Sequence, residues 1–392
     1  EGLRRGGQIV EKLQNRRKFI KTTGLILVSA ILPSVGCDSN KVTFSQMPTG
    51  PADVPDDMPD EMLPPAPITS NSRFYLQSIK GQAYDPKLKS EEWSLDVVGL
   101  VDNPIQGMTY ADITALPLER QAVTLQCIGN WIGGPLIGHA EWGGAPLSTL
   151  LERAGVQAEA TRVKFDSIDG YSTAISMDIA LRPETFLVWK MNGHRLPSRH
   201  GYPLRLVNPG HYGQKMPKWI TRIELIDEDF LGYWESKPEG KPYKWSNEAI
   251  ATVNSRIDAP LSLWDDISDP ANGSVNIEDQ LQTISGAGGD SFTIHGIALA
   301  GERIVERVEV STDGGSTWNE ARIATLMEPN VWVQFAYEWQ LPPSGRYEIV
   351  ARATDSEGDT QPATDQGVDL YDGRTGWHRV PVDVKRTDNP PG

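Results

Sequence analysis

The stretch VTLQCIGNWIGGPLIGHAEWGGAPLSTLL, residues 123–151, holds Cys127, one of two cysteines in 392 residues. A lone thiol in an apolar run that opens into a glycine-rich loop has two readings. One is packing, because free cysteine is among the most buried residue types. The other is chemistry, and the rest of the chain decides between them.

A second stretch, LVWKMNGHRLPSRHGYPLRLVNPGHYGQKMPKWITRIELI (187–226), sets His200, Arg205, His211, Lys215 and Lys218 among Gly and Pro turns. Arg205 lies inside YPLRLV, a strand-like apolar run where an unpaired charge is costly. An anion is therefore expected to meet it, through the bidentate contact that guanidinium makes with carboxylate or phosphate. The nearby glycines let backbone N–H groups approach an anion closely. A phosphate-bearing cofactor fits this pattern better than a site for a metal alone.

These residues need a scaffold. EEWSLDVVGLV (91–101) alternates apolar and polar residues as a half-buried strand does, and TYADITAL starts a short helix behind a Thr cap. Strand, turn and helix signals alternate to about residue 246, which predicts a mixed α+β domain. From TVNSRIDAPLS onward, short strands recur between Gly, Pro and Asp turns with no helix-length pattern, as in a β-sandwich. STDGGSTW reads as a hairpin turn, with glycines for the positive φ angles.

The formal charge is −15, and the first 21 residues carry seven Lys/Arg against two Glu. Without that segment the body is more acidic still, which argues against a nucleic-acid partner. The segment has the layout of a secretory signal, and Arg16-Arg17 followed by KFIK resembles a twin-arginine signal, the route for proteins exported folded. SVGC resembles a lipoprotein cleavage box, with Ser34 where Leu is usual. Its use would make Cys37 a lipid-anchored first residue and leave Cys127 without a disulfide partner. The expected location is the periplasm or the outer face of the cytoplasmic membrane, with membrane contact only through that anchor. Residues 38–67, rich in Pro and acid, read as a tether.

The motifs LQCIGN, EWGGAPLSTLL, MNGHRLPSRHGYPLRLVNPG and PKWITRIEL resemble the molybdopterin domain of the sulfite oxidase family, and VNSRIDAPL to GWHRVPVDV resembles its C-terminal dimerisation domain. The resemblance covers about residues 68–386. It implies a mixed α/β molybdopterin domain over 68–246 and an Ig-like sandwich over 247–386, after a signal at 1–37 and before a tail at 387–392. It further implies that Cys127 ligates molybdenum, a soft donor for a metal already held by sulfur. His200, Arg205 and Lys218 match positions that hold the pterin and its phosphate, Asp169 in SIDGY one that approaches the pterin, and Gly213 to Pro217 would line it with backbone.

The chain also departs from the sulfite oxidases. Gln77-Ser78-Ile79 stands where they carry Arg-Asn-His, and Trp131 where they carry Arg after GN. Gln77 and Ser78 are retained as candidate cofactor contacts. Losing two arginines argues against a divalent oxyanion such as sulfite. With no heme-attachment CxxCH and no flavin domain, electrons are expected to pass to a separate partner, such as a cytochrome or a quinone-linked membrane protein.

The expected activity is two-electron oxo transfer on a small molecule at a Cys127-ligated Mo-molybdopterin. Asp169 and Tyr212 are candidate catalytic groups; Trp131, Tyr171 and His211 are candidates for the substrate pocket. A homodimer through the C-terminal domain is the expected assembly. One alternative is reduction of S-oxides or N-oxides by the same site. Another, outside the enzymes, is an envelope lipoprotein that binds a partner through its sandwich.

Overall fold

A computed structural model describes residues 65–236, 245–260, 281–364 and 372–388. The targeting segment with Cys37 and nearly all of the tether lie outside the described residues. The first alternating stretch forms β1 (Ser94–Gly99), which buries Leu95 and Val97. It pairs antiparallel with β2 (Ile105–Thr109). Thr109 then caps the helix Tyr110–Thr114 in a reciprocal capping box with Asp112.

The chain continues through β3 (Glu119–Gln126) and β4 (Ile137–Pro146) to the helix Leu147–Ala154. Next come β5 (Arg162–Ser167), β6 (Ser172–Ser176) and β7 (Phe186–Met191). The two-residue β8 (His194–Arg195), β9 (Arg205–Val207) and β10 (Ile220–Ile226) complete the first domain. The strands form two five-stranded sheets, β2-β1-β10-β5-β6 and β3-β4-β7-β8, with β9 paired to β7 in the second. Helix Leu147–Ala154 turns Leu147, Leu150, Leu151 and Ala154 inward, because apolar residues three and four apart share a helix face. They join Leu95, Phe165, Leu187 and Leu206 in a core that draws on both sheets.

The C-terminal domain consists of β11 (Asn254–Ala259), β12 (Gln282–Gly286), β13 (Ser291–Leu299) and β14 (Val305–Ser311). It ends with β15 (Asn319–Ile323), β16 (Val333–Gln340), β17 (Gly345–Asp355) and β18 (His378–Arg386). The strand order is β11-β13-β16-β15-β14-β17-β18-β12, with β15 pairing to both β14 and β16 and so joining the two layers. Val308, Phe335, Ile349 and Val382 fill the space between them. The STDGGSTW turn links β14 to β15, where Asp313 accepts hydrogen bonds from the backbone of Ser316 and Thr317.

The domains meet along an apolar seam of Ala66 and Ile137 from the first and Ile297, Leu299, Val331 and Trp332 from the second. Between β10 and β11 the chain returns to the first domain, setting Trp245 against Ile128 and Tyr212. Among the described residues no helix is long and apolar enough to cross a membrane.

Candidate functional site

Strand β3 alternates through Val123 and Leu125, both buried, and stops at Gln126. Cys127 is therefore the first residue of the turn, not part of the strand. Its N–H donates to the Leu136 carbonyl at 2.9 Å, and its carbonyl accepts from Asn130 N–H at 3.0 Å. The Asn130 side chain closes the loop by accepting from Leu136 N–H at 2.9 Å. Cys127 is a free thiol that borders a cavity of about 280 Å³. Burial pushes the thiol pKa up to about 11, against a hydrogen bond from the Gly129 backbone that favours the thiolate. Burial thus favours the protonated thiol, and a cation placed beside it would favour release.

Another wall comes from the 187–226 stretch. A 3₁₀ turn, Ser198–His200, leads to β9, whose first residue is the buried Arg205. Its guanidinium donates to the His200 carbonyl at 3.0 Å and, over longer distances, to those of Leu206 and Met216. It also stacks 4.9 Å from the Trp142 ring. Among the described residues no carboxylate forms a salt bridge with it, and burial lowers its pKa to about 10. Lys218 donates to the Arg199 carbonyl at 2.9 Å and lies over the Trp219 ring. Burial, then the positive Arg205, lowers its pKa to about 7, with the Asp169 carboxylate opposing. His200 is held by the Asn71 carbonyl at 2.8 Å, and burial keeps its ring neutral with a pKa of about 4.

Asp169 joins these groups from the turn after β5. One carboxylate oxygen accepts from Tyr171 N–H at 3.1 Å, the other from the Ser78 hydroxyl at 3.1 Å. The Tyr171 hydroxyl is occupied by the Gln214 carbonyl at 2.5 Å. Gln77, Ser78, Cys127, Asp169, Tyr171, His200, Arg205, Gly213 and Lys218 all line the one cavity. Gly213 has a steric reason: a Cβ there would sit 2.9 Å from the Tyr75 hydroxyl.

Three candidates are not at this cavity. Tyr212 is buried away from it, its hydroxyl 2.9 Å from that of Thr252. His211 is turned toward the Pro209 carbonyl at 3.2 Å. Trp131, 37% exposed, lines a small cleft against Ser255 and Arg256 of the C-terminal domain. Lys215, grouped by sequence with the cationic patch, is neutralised instead. Its ammonium lies 2.5 Å from the buried Glu235 and also donates to Thr173, Ala174 and Asn247.

Sequence reasoning missed Tyr75, Trp234 and Trp245, which also line the cavity. A signal existed for Tyr75: it stands two residues before Gln77, and alternate residues of an extended segment share a face. Burial and the neighbouring Cys127 raise its phenol pKa, with Arg205 opposing. The two tryptophans carry no such signal.

The residues present suit a metal that arrives with most of its ligands. Among the described residues no cluster of three or more His, Cys, Asp or Glu could hold a bare ion. One thiol suits a sulfur-bound soft metal, and two cations at the cavity, Arg205 and Lys218, with no salt bridge among the described residues suit a phosphate. Molybdopterin carries both features.

Comparison with known proteins agrees. Residues 82–234 match the oxidoreductase molybdopterin binding domain, and residues 270–385 the Mo-co oxidoreductase dimerisation domain. The chain is 29% identical to sulfite oxidase of Arabidopsis thaliana over 340 residues, 74% of this chain and 82% of that one. It is 30% identical to mitochondrial sulfite oxidase of Mus musculus, over 83% of this chain but only 63% of the mouse protein's length. NADH nitrate reductase of Solanum lycopersicum is 26% identical, over 73% of this chain and 36% of that protein. The sulfane dehydrogenase SoxCD from Paracoccus pantotrophus shares the fold, with a TM-score of 0.61, 24% identity, and 83% and 89% of the two chains covered.

Proposed function

Since the chain belongs to the sulfite oxidase family of molybdopterin oxidoreductases, we propose that it performs two-electron oxo transfer on a small neutral or monoanionic molecule, with Cys127 as the protein ligand of molybdenum. The observation that carries this reading is the meeting of a free thiol with two cations, the buried Arg205 and the half-buried Lys218, that form no salt bridge among the described residues, at one cavity. When bound, the cofactor supplies the oxygen-atom and two-electron chemistry. The chain's own groups do the rest. Arg205 and Lys218 neutralise the cofactor's phosphate. His200, neutral and fixed by Asn71, offers a ring edge without adding charge. Ser78 and Tyr171 N–H hold the Asp169 carboxylate in place on the cavity wall.

For an oxidation, the substrate gains oxygen from water, two protons are released, and two electrons pass to a separate redox protein. The S-oxide or N-oxide reductase runs this balance in reverse. With Arg205 and Lys218 engaged by the phosphate, the remaining wall favours an uncharged reactant in either direction, because Tyr75, Gln77, Ile79, Trp234 and Trp245 bring no formal charge to it. Desolvating a divalent oxyanion there would lack compensation.

We further propose export by the twin-arginine route, a lipid anchor at Cys37 and a homodimer through the C-terminal domain. The protein made with its export segment is expected to hold about one molybdenum per chain, measured by elemental analysis. A folded, metal-free preparation from a host that makes the cofactor would overturn the enzyme reading.

A further inference from the structure

The loop that presents Cys127 is held largely from outside its own domain. Before it, Thr124 on β3 donates its N–H to the Asn330 carbonyl at 2.8 Å, and its hydroxyl accepts from Trp332 N–H at 2.9 Å. After it, Ile137 opens β4 inside the apolar seam with Ile297, Leu299 and Trp332. In the middle, the Arg256 guanidinium donates to the Gly134 carbonyl at 3.2 Å. The imidazole of His378, at the start of β18, lies against Gly133, where a Cβ would collide with it. Gly133 also has φ of +72°, a conformation that favours glycine. His378 is itself fixed, because its Nδ1 accepts from Ile257 N–H at 2.9 Å. Asn330, Trp332, Arg256 and His378 all belong to the C-terminal domain.

We infer that the C-terminal sandwich is a positioning element of the metal site: it clamps the Cys127–Leu136 loop at both ends and, through His378 and Arg256, at its glycine pair. The inference rests on the reading of Cys127 as the metal ligand. A dimerisation module needs no contact with this loop, whereas here the contacts bracket it. Within the loop Gly134 N–H donates to the Trp131 carbonyl at 3.0 Å, whereas Gly133 is met by the His378 ring, so His378 sets where Gly133 rests, and Gly133 sets the return of the chain to Leu136, whose carbonyl accepts from Cys127 N–H. His378 and Arg256 thus act on the thiol through the backbone, as positioning residues.

The test is alkylation of Cys127 by iodoacetamide in the molybdenum-loaded full-length protein, followed by peptide mass spectrometry so that Cys37 is scored separately. Well below the melting temperature, wild type is expected to be protected by ligation, and His378→Ala to react at least tenfold faster with its pterin content unchanged. Gly133→Ala, which drives a methyl group toward the same ring, tests the contact from the other side should His378→Ala fail to fold. Val380→Ala removes buried volume from the same strand without touching the loop, and is expected to protect Cys127 as wild type does. Equal protection in wild type and the two loop variants overturns the clamp, as does equal exposure in Val380→Ala. A loaded wild type that reacts like a free thiol overturns the ligation reading instead.

Discussion

Arg205 offers the sharpest test of how the cavity holds a cofactor, through the substitution Arg205→Met. Burial puts a cost on the guanidinium that the protein's own groups leave uncompensated. Its pKa falls from 12.5 to about 10, so it stays charged at neutral pH at a penalty of roughly 3 kcal/mol. That penalty is present at every pH below the lowered value. Removing the charge relieves it, but forfeits one good hydrogen bond to the His200 carbonyl, two long ones and the stacking on Trp142. Those losses come to about 1–3 kcal/mol together, and the methionine keeps part of the packing. Cofactor-free Arg205→Met is therefore expected to melt close to wild type. A phosphate seated against Arg205 loses a charge-assisted hydrogen bond of about 1.5–3 kcal/mol, a tenfold to hundredfold drop in affinity. Molybdenum and pterin per chain, measured after dialysis beside thermal melts of the cofactor-free protein, separate the two effects. Full occupancy in the variant would refute the phosphate assignment. A large loss of stability in the cofactor-free variant would show instead that Arg205 is a structural residue.

Cys127→Ser is expected to keep the fold and abolish turnover, because a hydroxyl is a harder and less acidic ligand than a thiol; activity near wild type would exclude ligation by this residue. Lys218 predicts a pH signature. Its pKa near 7, against about 10.4 for an unfolded lysine, means that the unfolded chain binds the extra proton between those values. Stability of the cofactor-free protein should thus rise from pH 7 toward 10, and Lys218→Met should flatten that rise in a series of thermal melts. For specificity, sulfite is expected to turn over poorly beside methyl sulfoxides and N-oxides when artificial electron carriers are used. Gln77, the neutral replacement that lines the cavity, lacks one charge-assisted contact, which weakens sulfite capture by about tenfold to a hundredfold, and efficient sulfite oxidation at micromolar concentrations would contradict this.

The fold was legible where local chemistry and burial agree. The alternation in EEWSLDVVGLV, the Thr109–Asp112 box and the Asp-Gly-Gly turn each state a local geometry that the tertiary structure keeps. The boundary of β3 was not, because Cys127 continues the apolar pattern although the strand ends one residue earlier. What stops it is Asn130, which takes the Cys127 carbonyl with its N–H and the Leu136 N–H with its side chain, so the reciprocal ladder bond is not made, and hydropathy carries no trace of those bonds.

At the site, sequence separated the chemistry from its direction only in part. Arg205 was readable because a charge inside an apolar strand demands a partner, and burial with no carboxylate leaves that demand unmet. Lys215, three residues from Lys218, looked equivalent on the same reasoning. Its partner Glu235 lies twenty residues on, in a connection without regular pattern, so nothing local distinguishes the satisfied cation from the unsatisfied one. His211 and Tyr212 lie off the cavity for a related reason: the 3₁₀ turn Gly213–Lys215 begins just beyond them and brings Gly213 and Gln214 to the cavity, leaving Tyr212 against Thr252. Trp131 and the glycines after it face the C-terminal domain, whose strands were read as a separate module. A residue's type announces what it needs; which distant segment supplies it is decided by packing. Gly133 states this most plainly, since a Cβ there would collide with a histidine more than two hundred residues later.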